Sequence, residues 1–286
     1  MKRISILLLV CCTCFALAAW PQAPTLTFSF QSVAIPNAQV TDPAGANNSG
    51  TLVGRYVDHS GKEHGFMLKG KKVTNVDDPN GATYCYGVNN KDRIVGLYIN
   101  SARNFQAFSY QAGKFTDIVP PGSVLSAAIN INDKDQITGV YVDAIGNQHG
   151  FLLAGKKFTQ IDVPGSTWTQ AFGINNKGWI TLDWGDSKGY EESSLLQGKK
   201  FTTINVPGAV GTGARAISTA GDILLTWYDG AGTAHGALRL YAGGNYYTFD
   251  DPNALFGTYA DGMNDKHLIV GQYLDFVKLE GFKATY

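Results

Sequence analysis

Short runs in which apolar and polar positions alternate cover most of the chain, and Gly, Asn, Asp and Pro punctuate them at close intervals. A period of two marks half-buried strands, and the punctuation marks turns. "TQAFGIN" (169–175) reads as a strand, "NKG" (176–178) as a tight turn whose Asn and Gly suit positive φ, and "WITLDW" (179–184) as the returning strand. One unit earlier "VDAIGNQ" (142–148) is a loop, "HGFLL" (149–153) a third strand, "AGKK" (154–157) a turn and "FTQIDV" (158–163) a fourth strand. "PGSTWT" (164–169) then leaves the sheet, because Pro has no N–H to give to a ladder. No stretch is long enough, free of Gly and at helical period, to predict a helix.

The unit recurs. The first Asn after the opening strand returns as Asn47, Asn89, Asn132, Asn175, Ser218 and Asn264, at spacings of 42, 43, 43, 43 and 46 residues. An aromatic in the second strand keeps the same beat at Tyr56, Tyr98, Tyr141, Trp184, Trp227 and Tyr273. Copied four-stranded units of about 43 residues predict a β-propeller, whereas an open stack would need polar caps at both ends. "FSFQSVAIP" (28–36) matches the fourth strand and crossover of a unit, while "LIVGQYLD" (268–275) and "EGFKATY" (280–286) supply second and third strands with no fourth after them. The expectation is therefore an all-β, six-bladed β-propeller of four-stranded antiparallel blades, in which an N-terminal strand at about 27–34 completes a C-terminal blade at about 257–286.

Side-chain size follows the same logic. Along the first strand Cys85, Ala128, Ala171, Ala214 and Ala260 alternate with Tyr86, Ile129, Phe172, Arg215 and Asp261. Blades crowd each other near an axis, so the small set suits a thin face that receives the bulk of the next blade. On this reading the 34 glycines reflect close packing and turns rather than disorder.

Composition narrows the setting. Lys2 and Arg3 precede an apolar run from Ile4 to Ala19 that ends in "ALAAW", so residues 1–19 read as a signal peptide cut after Ala18 or Ala19, leaving 20–286 as one exported domain. The run is shorter than the ~20 residues of a membrane span. Cys11, Cys12 and Cys14 would leave with it, and Cys85 alone cannot form an internal disulfide. Without Lys2 and Arg3 the chain has 21 basic and 23 acidic residues, which offers no basic surface for nucleic acid.

The units resemble the HAF repeats of predicted extracellular bacterial proteins, on "GVNNKDRIVGLY" (87–98), "HGFMLKGKKVTNVD" (64–77) and "HGFLLAGKKFTQID" (149–162). The resemblance spans essentially the exported chain and implies the repeat, but no common chemistry. Two copies depart from it: "SSLL" (193–196) stands where others have "HGFL", and Ala237 takes a Phe position.

Candidate chemistry is sparse. Asp58 and His64, Asp143 and His149, and Asp229 and His235 share a D-x5-H spacing across the loop between second and third strands. They fall in different blades, so hairpin clasps are expected rather than a metal site, and no cofactor is implied. "GAVGTGA" (208–214) has no helix after it to hold a phosphate, and "NINDKD" (130–135) lacks the distal Glu of a calcium loop. No nucleophile–base motif stands out. The fourth unit concentrates unusual residues, among them Trp168, Asp183, Trp184, Tyr190, Glu191 and Glu192, and aromatic platforms beside carboxylates suit a sugar. Arg215 and Asp261 replace apolar residues at equivalent positions and are expected to meet near the axis. These features favour an exported, monomeric, non-catalytic module that binds an extracellular carbohydrate or protein. The competing expectation is a polysaccharide-acting hydrolase or lyase using Asp183, Glu191 and Glu192.

Overall fold

The computed structural model describes residues 25–276 and 278–286; residues 1–19, read above as a signal peptide, and their three cysteines lie outside them. Twenty-four strands and no helix form among the described residues. After β1 (Ser29–Val33), the first blade is β2 (Ala38–Ala46), β3 (Leu52–Asp58), β4 (Glu63–Lys69) and β5 (Lys72–Asn75). The second is β6 (Gly81–Val88), β7 (Ile94–Asn100), β8 (Phe105–Gln111) and β9 (Lys114–Ile118). The third is β10 (Ser123–Ile131), β11 (Ile137–Asp143), β12 (Gln148–Ala154) and β13 (Lys157–Ile161). The fourth is β14 (Trp168–Ile174), β15 (Ile180–Gly185), β16 (Glu191–Gln197) and β17 (Lys200–Thr203). The fifth is β18 (Gly211–Ile217), β19 (Ile223–Tyr228), β20 (Ala234–Arg239) and β21 (Tyr246–Phe249), and the sixth begins with β22 (Gly257–Met263), β23 (Leu268–Leu274) and β24 (Leu279–Thr285).

The ring closes as expected. β1 pairs antiparallel with β24, from Ser29 opposite Thr285 to Val33 opposite Gly281, and becomes the outer strand of the sixth blade. Its Phe30 ring lies 5.6 Å from that of Phe282 and 6.1 Å from that of Phe249, so the strand is held by packing as well as by its ladder. The fifth and sixth blades touch through one parallel bridge, Ala234 to Gly257, and otherwise each blade is its own sheet.

The thin face is visible between blades. Cys85 is 1% exposed and Ala128, Ala171, Ala214 and Ala260 are fully buried. A Cβ on Gly65 would meet the Val76 carbonyl at 2.4 Å and Cys85 Sγ at 2.9 Å, which is why small residues recur there. The two departing copies repack locally. Trp184 donates its indole N–H to Ser194 Oγ at 3.0 Å, and the Phe249 ring lies over Gly236 beside Ala237.

The recurring Asn staples the ring. Each Asn side chain accepts two N–H groups of its own turn through Oδ1, as Asn175 does from Lys177 and Trp179. Its Nδ2 then donates to the carbonyl of the equivalent residue one blade on: Asn47 to Asn89, Asn89 to Asn132, Asn132 to Asn175, Asn175 to Ser218, and Asn264 back to Asn47, at 2.7–3.2 Å. Ser218 has no amide to continue the series, and there Thr219 N–H and hydroxyl reach Asp265, a contact whose N–H part other blades make beside their staple, as Asn48 N–H does to Asn90. In the "NKG" turn Gly178 has the positive φ expected (+78°) but Asn176 does not, and Asn175, the residue before it, serves as the hydrogen-bond hub.

Candidate functional site

The alternation along the first strand has a second consequence. If Ala128, Ala171 and Ala214 pack between blades, the residues on the other face must point at the axis. There they line a cavity of about 420 Å³, within the size range of small-molecule sites. Its walls draw on all six blades and come mainly from three columns of the repeat. One first-strand column contributes Asp42, Ala127, Gln170 and Tyr259; the next contributes Ala44, Tyr86, Ile129, Phe172, Arg215 and Asp261; the second strand contributes Leu97, Val140, Thr226 and Gln272.

These columns differ from copy to copy, and the differences segregate. Leu97, Phe105, Ala127, Ile129 and Val140 make an apolar wall from the second and third blades. Across it, the fifth, sixth and first blades bring Arg215, Tyr259, Asp261, Gln272 and Asp42.

The charged side chains are mostly committed. Arg55 Nε meets Asp42 at 3.0 Å and its Nη1 meets Glu63 at 2.8 Å, while the guanidinium lies 5.0 Å from the Tyr84 ring centroid. Arg215 Nη1 meets Asp183 at 2.9 Å and its Nη2 lies 3.8 Å from Glu191, with the guanidinium 4.7 Å over the Phe172 ring. Asp183 is 1% exposed and also accepts hydrogen bonds from Ala214 N–H and Ser193 Oγ. Burial pushes its carboxyl up to about 7 against the pull of Arg215. Burial likewise raises Asp42. Asp261 is raised well above the ordinary range, by burial first and by the neighbouring Asp42 second, with Arg215 opposing. Asp261 Oδ2 and Gln272 Oε1 are shut off from solvent without a hydrogen-bond partner. Arg215 and Asp261 thus share the cavity, but the meeting expected of them is corrected: no ion pair joins them among the described residues, because Asp183 captures the guanidinium.

The residues singled out in the fourth unit are dispersed. Tyr190, Glu191 and Glu192 line a separate open groove of about 340 Å³ with Asn205 and Val210, between the fourth and fifth blades. Glu191 and Glu192 are adjacent on β16, so one turns towards Arg215 and the other hydrogen-bonds Asn205. Trp184 packs into the blade's apolar cluster, and Trp168 lies over Gly185.

Each D-x5-H pair forms part of a larger clamp. Nδ1 of His64, His149 and His235 meets Asp77, Asp162 and Asp250 at 2.8, 2.9 and 3.0 Å, while Nε2 faces Asp58, Asp143 and Asp229 at 3.4, 3.4 and 3.5 Å. The rings lie against Tyr56, Tyr141 and Trp227. Asp58 is held below the ordinary carboxylate range, first by the Ser60 hydroxyl, and Asp229 first by the Thr233 N–H. Burial opposes protonation of His149, but its bonds to Asp162 and Asp143 outweigh that and raise it. Among the described residues no group of three or more His, Cys, Asp or Glu is arranged to hold a metal ion.

The sequence reading missed Asp42, Tyr86, Tyr259, Gln170 and Gln272 as site residues, and Asp77, Asp162 and Asp250 as clamp partners. The signal for the former was available in the columns, where polar residues replace apolar ones at positions that face the axis.

No protein-family model and no curated protein matches the sequence. Solved structures do match in shape. A fucose-complexed lectin of Aleuria aurantia, whose fold is described as a six-bladed β-propeller, is 14% identical, with a TM-score of 0.54 over 88% of this chain and 93% of the lectin. TolB of Acinetobacter baumannii gives 0.62 at 11% identity, over 83% of this chain and 64% of its own. A gluconolactonase of Xanthomonas campestris gives 0.53 at 12% identity, over 87% of each. At these identities the likeness establishes the propeller fold.

Proposed function

We propose that the protein is an exported binding module of the HAF-repeat type whose ligand, a small amphipathic molecule of the carbohydrate class, sits in the axial cavity. The observation that carries the reading is the 420 Å³ cavity itself, with an apolar wall facing polar groups from the other blades. A sugar presents apolar C–H faces and a rim of hydroxyls, which this division matches. The lectin likeness is consistent with it, and so is the "ALAAW" segment of an exported chain.

A glycan array probed with the purified protein tests this reading. Binding is expected; Ile129→Trp, which fills the cavity, abolishes it, and Tyr190→Ala, in the separate groove, leaves it intact. Binding that survives Ile129→Trp and fails in Tyr190→Ala would move the site to the groove. Edman sequencing of the exported protein should begin at Ala19 or Trp20.

The enzyme reading retains one specific observation, the sharing of Arg215 by Asp183 and Glu191. Product analysis of any bound glycan separates the two: intact glycan supports a module, and cleaved glycan supports a hydrolase or lyase.

A further inference from the structure

Carboxyl groups outnumber guanidinium groups around the axial cavity. Arg55 is divided between Asp42 and Glu63, and Arg215 between Asp183 and Glu191, so two guanidinium groups answer four carboxyl groups. Asp261 adds a fifth carboxyl group with no cation of its own among the described residues. Its Oδ2 and the Gln272 Oε1, both on the sixth blade and both lining the cavity, are hydrogen-bond acceptors closed off from solvent with no protein donor. A buried acceptor left unpaired costs about 1–3 kcal/mol, so a ligand that brings donors to this corner recovers that cost on binding. A hydroxyl could donate one bond. A protonated amine donates several, and its charge favours the ionised form of the Asp261 carboxyl that burial disfavours.

We infer that the cavity selects an amine-bearing ligand, with Asp261 anchoring the ammonium group, Gln272 accepting a second N–H, and the ligand body lying against Ile129, Val140 and Leu97. This deepens the carbohydrate reading above and rests on it: the ligand class becomes the free amino sugars. Raised proton affinity at Asp261 agrees with an acidic corner that an ammonium would relieve. Tyr259 and Tyr86 also line the cavity.

The test is calorimetric titration with methyl glycosides in gluco and galacto configuration, each prepared with a free 2-amino, a 2-acetamido or a 2-hydroxyl group. The expected result is that a 2-amino form binds at least tenfold tighter than its acetamido and hydroxyl counterparts. Asp261→Asn should abolish that preference, so that the amino, acetamido and hydroxyl forms bind alike. Thermal unfolding of Asp261→Asn checks that it folds. Equal affinity for amino and neutral forms, or a preference unchanged in Asp261→Asn, overturns the amine inference and leaves the carbohydrate reading standing. Binding of tryptamine, abolished in Asp261→Asn, with no binding of any glycoside, keeps the amine anchor and overturns the carbohydrate class. No binding of either kind overturns both.

Discussion

At the scale of single residues, the molecule is governed by what each copy of the repeat does with one position. Five blades use Asn to reach the next blade's carbonyl and one has Ser218, whose Oγ accepts the Gly221 and Asp222 N–H groups but whose short hydroxyl makes no bond to the Asn264 carbonyl. Ser218→Asn should therefore complete the ring and raise stability by about 0.5–1.5 kcal/mol, the net worth of one such hydrogen bond. Equilibrium urea unfolding measures it, and an unchanged midpoint would show that Thr219 and Asp265 already fill the gap. Titration is a second residue-scale matter. Asp42, Asp183 and Asp261 bind protons more tightly when folded, so their contribution is present at low pH and is lost as pH rises through their raised values, for Asp183 about 7. His149, also raised, has the same sign. Asp58 and Asp229 are lowered, and theirs is lost as pH falls below the ordinary carboxylate range. Stability should thus peak in mildly acid solution and decline from pH 5 to 8, and Asp183→Asn should make that decline shallower, as read from melting temperature against pH.

At the scale of elements, strand β1 shows how local pattern and global closure agree. Its five residues cannot form a sheet alone, and β24 without it would present an open edge carrying Phe282 beside solvent. Phe30 is half-buried against Phe249 and Phe282, so Phe30→Ala should cost about 1–2 kcal/mol, roughly half the value of a fully buried Phe. The loss should appear as faster unfolding and earlier proteolysis within residues 25–36; an unaltered unfolding rate would mean that the ladder alone holds the strand. This closure was legible because strand identity, strand count and a missing partner are all written in periodicity. The site was less so. Arg215 and Asp261 stood out as breaks in an apolar column, yet which neighbour each would choose depends on side chains from β15 and β23 that no local pattern brings together. Trp184 looked like a platform by residue type, and the loss of a Phe at Ser194 is what draws it inward. The second aspartate of each clamp was hidden because its distance along the chain, 13 residues in two blades and 15 in the third, depends on turn length.

At the scale of the whole molecule, the cavity belongs to no single blade. Residues of all six line it, so an occupant touches the ring from every side, while each Asn staple joins only two adjacent blades. Such a ligand binds the closed ring and finds no equivalent site on an unfolded or opened chain, because three columns drawn from different blades must converge to make the walls. Mass action then requires stabilisation of the entire propeller rather than of one blade: at a hundredfold excess over Kd, about 2.7 kcal/mol. For a domain of this size that corresponds to a rise of roughly 5–10 °C in melting temperature, in one cooperative transition. The groove beside Tyr190 is built by two blades only, and a ligand there would protect that pair locally. Hydrogen exchange with and without the best array ligand separates the cases. Protection spread over first strands of all six blades is expected, lost in Ile129→Trp and kept in Tyr190→Ala, whereas protection confined to β16 and β18 would place the ligand in the groove and remove the axial site.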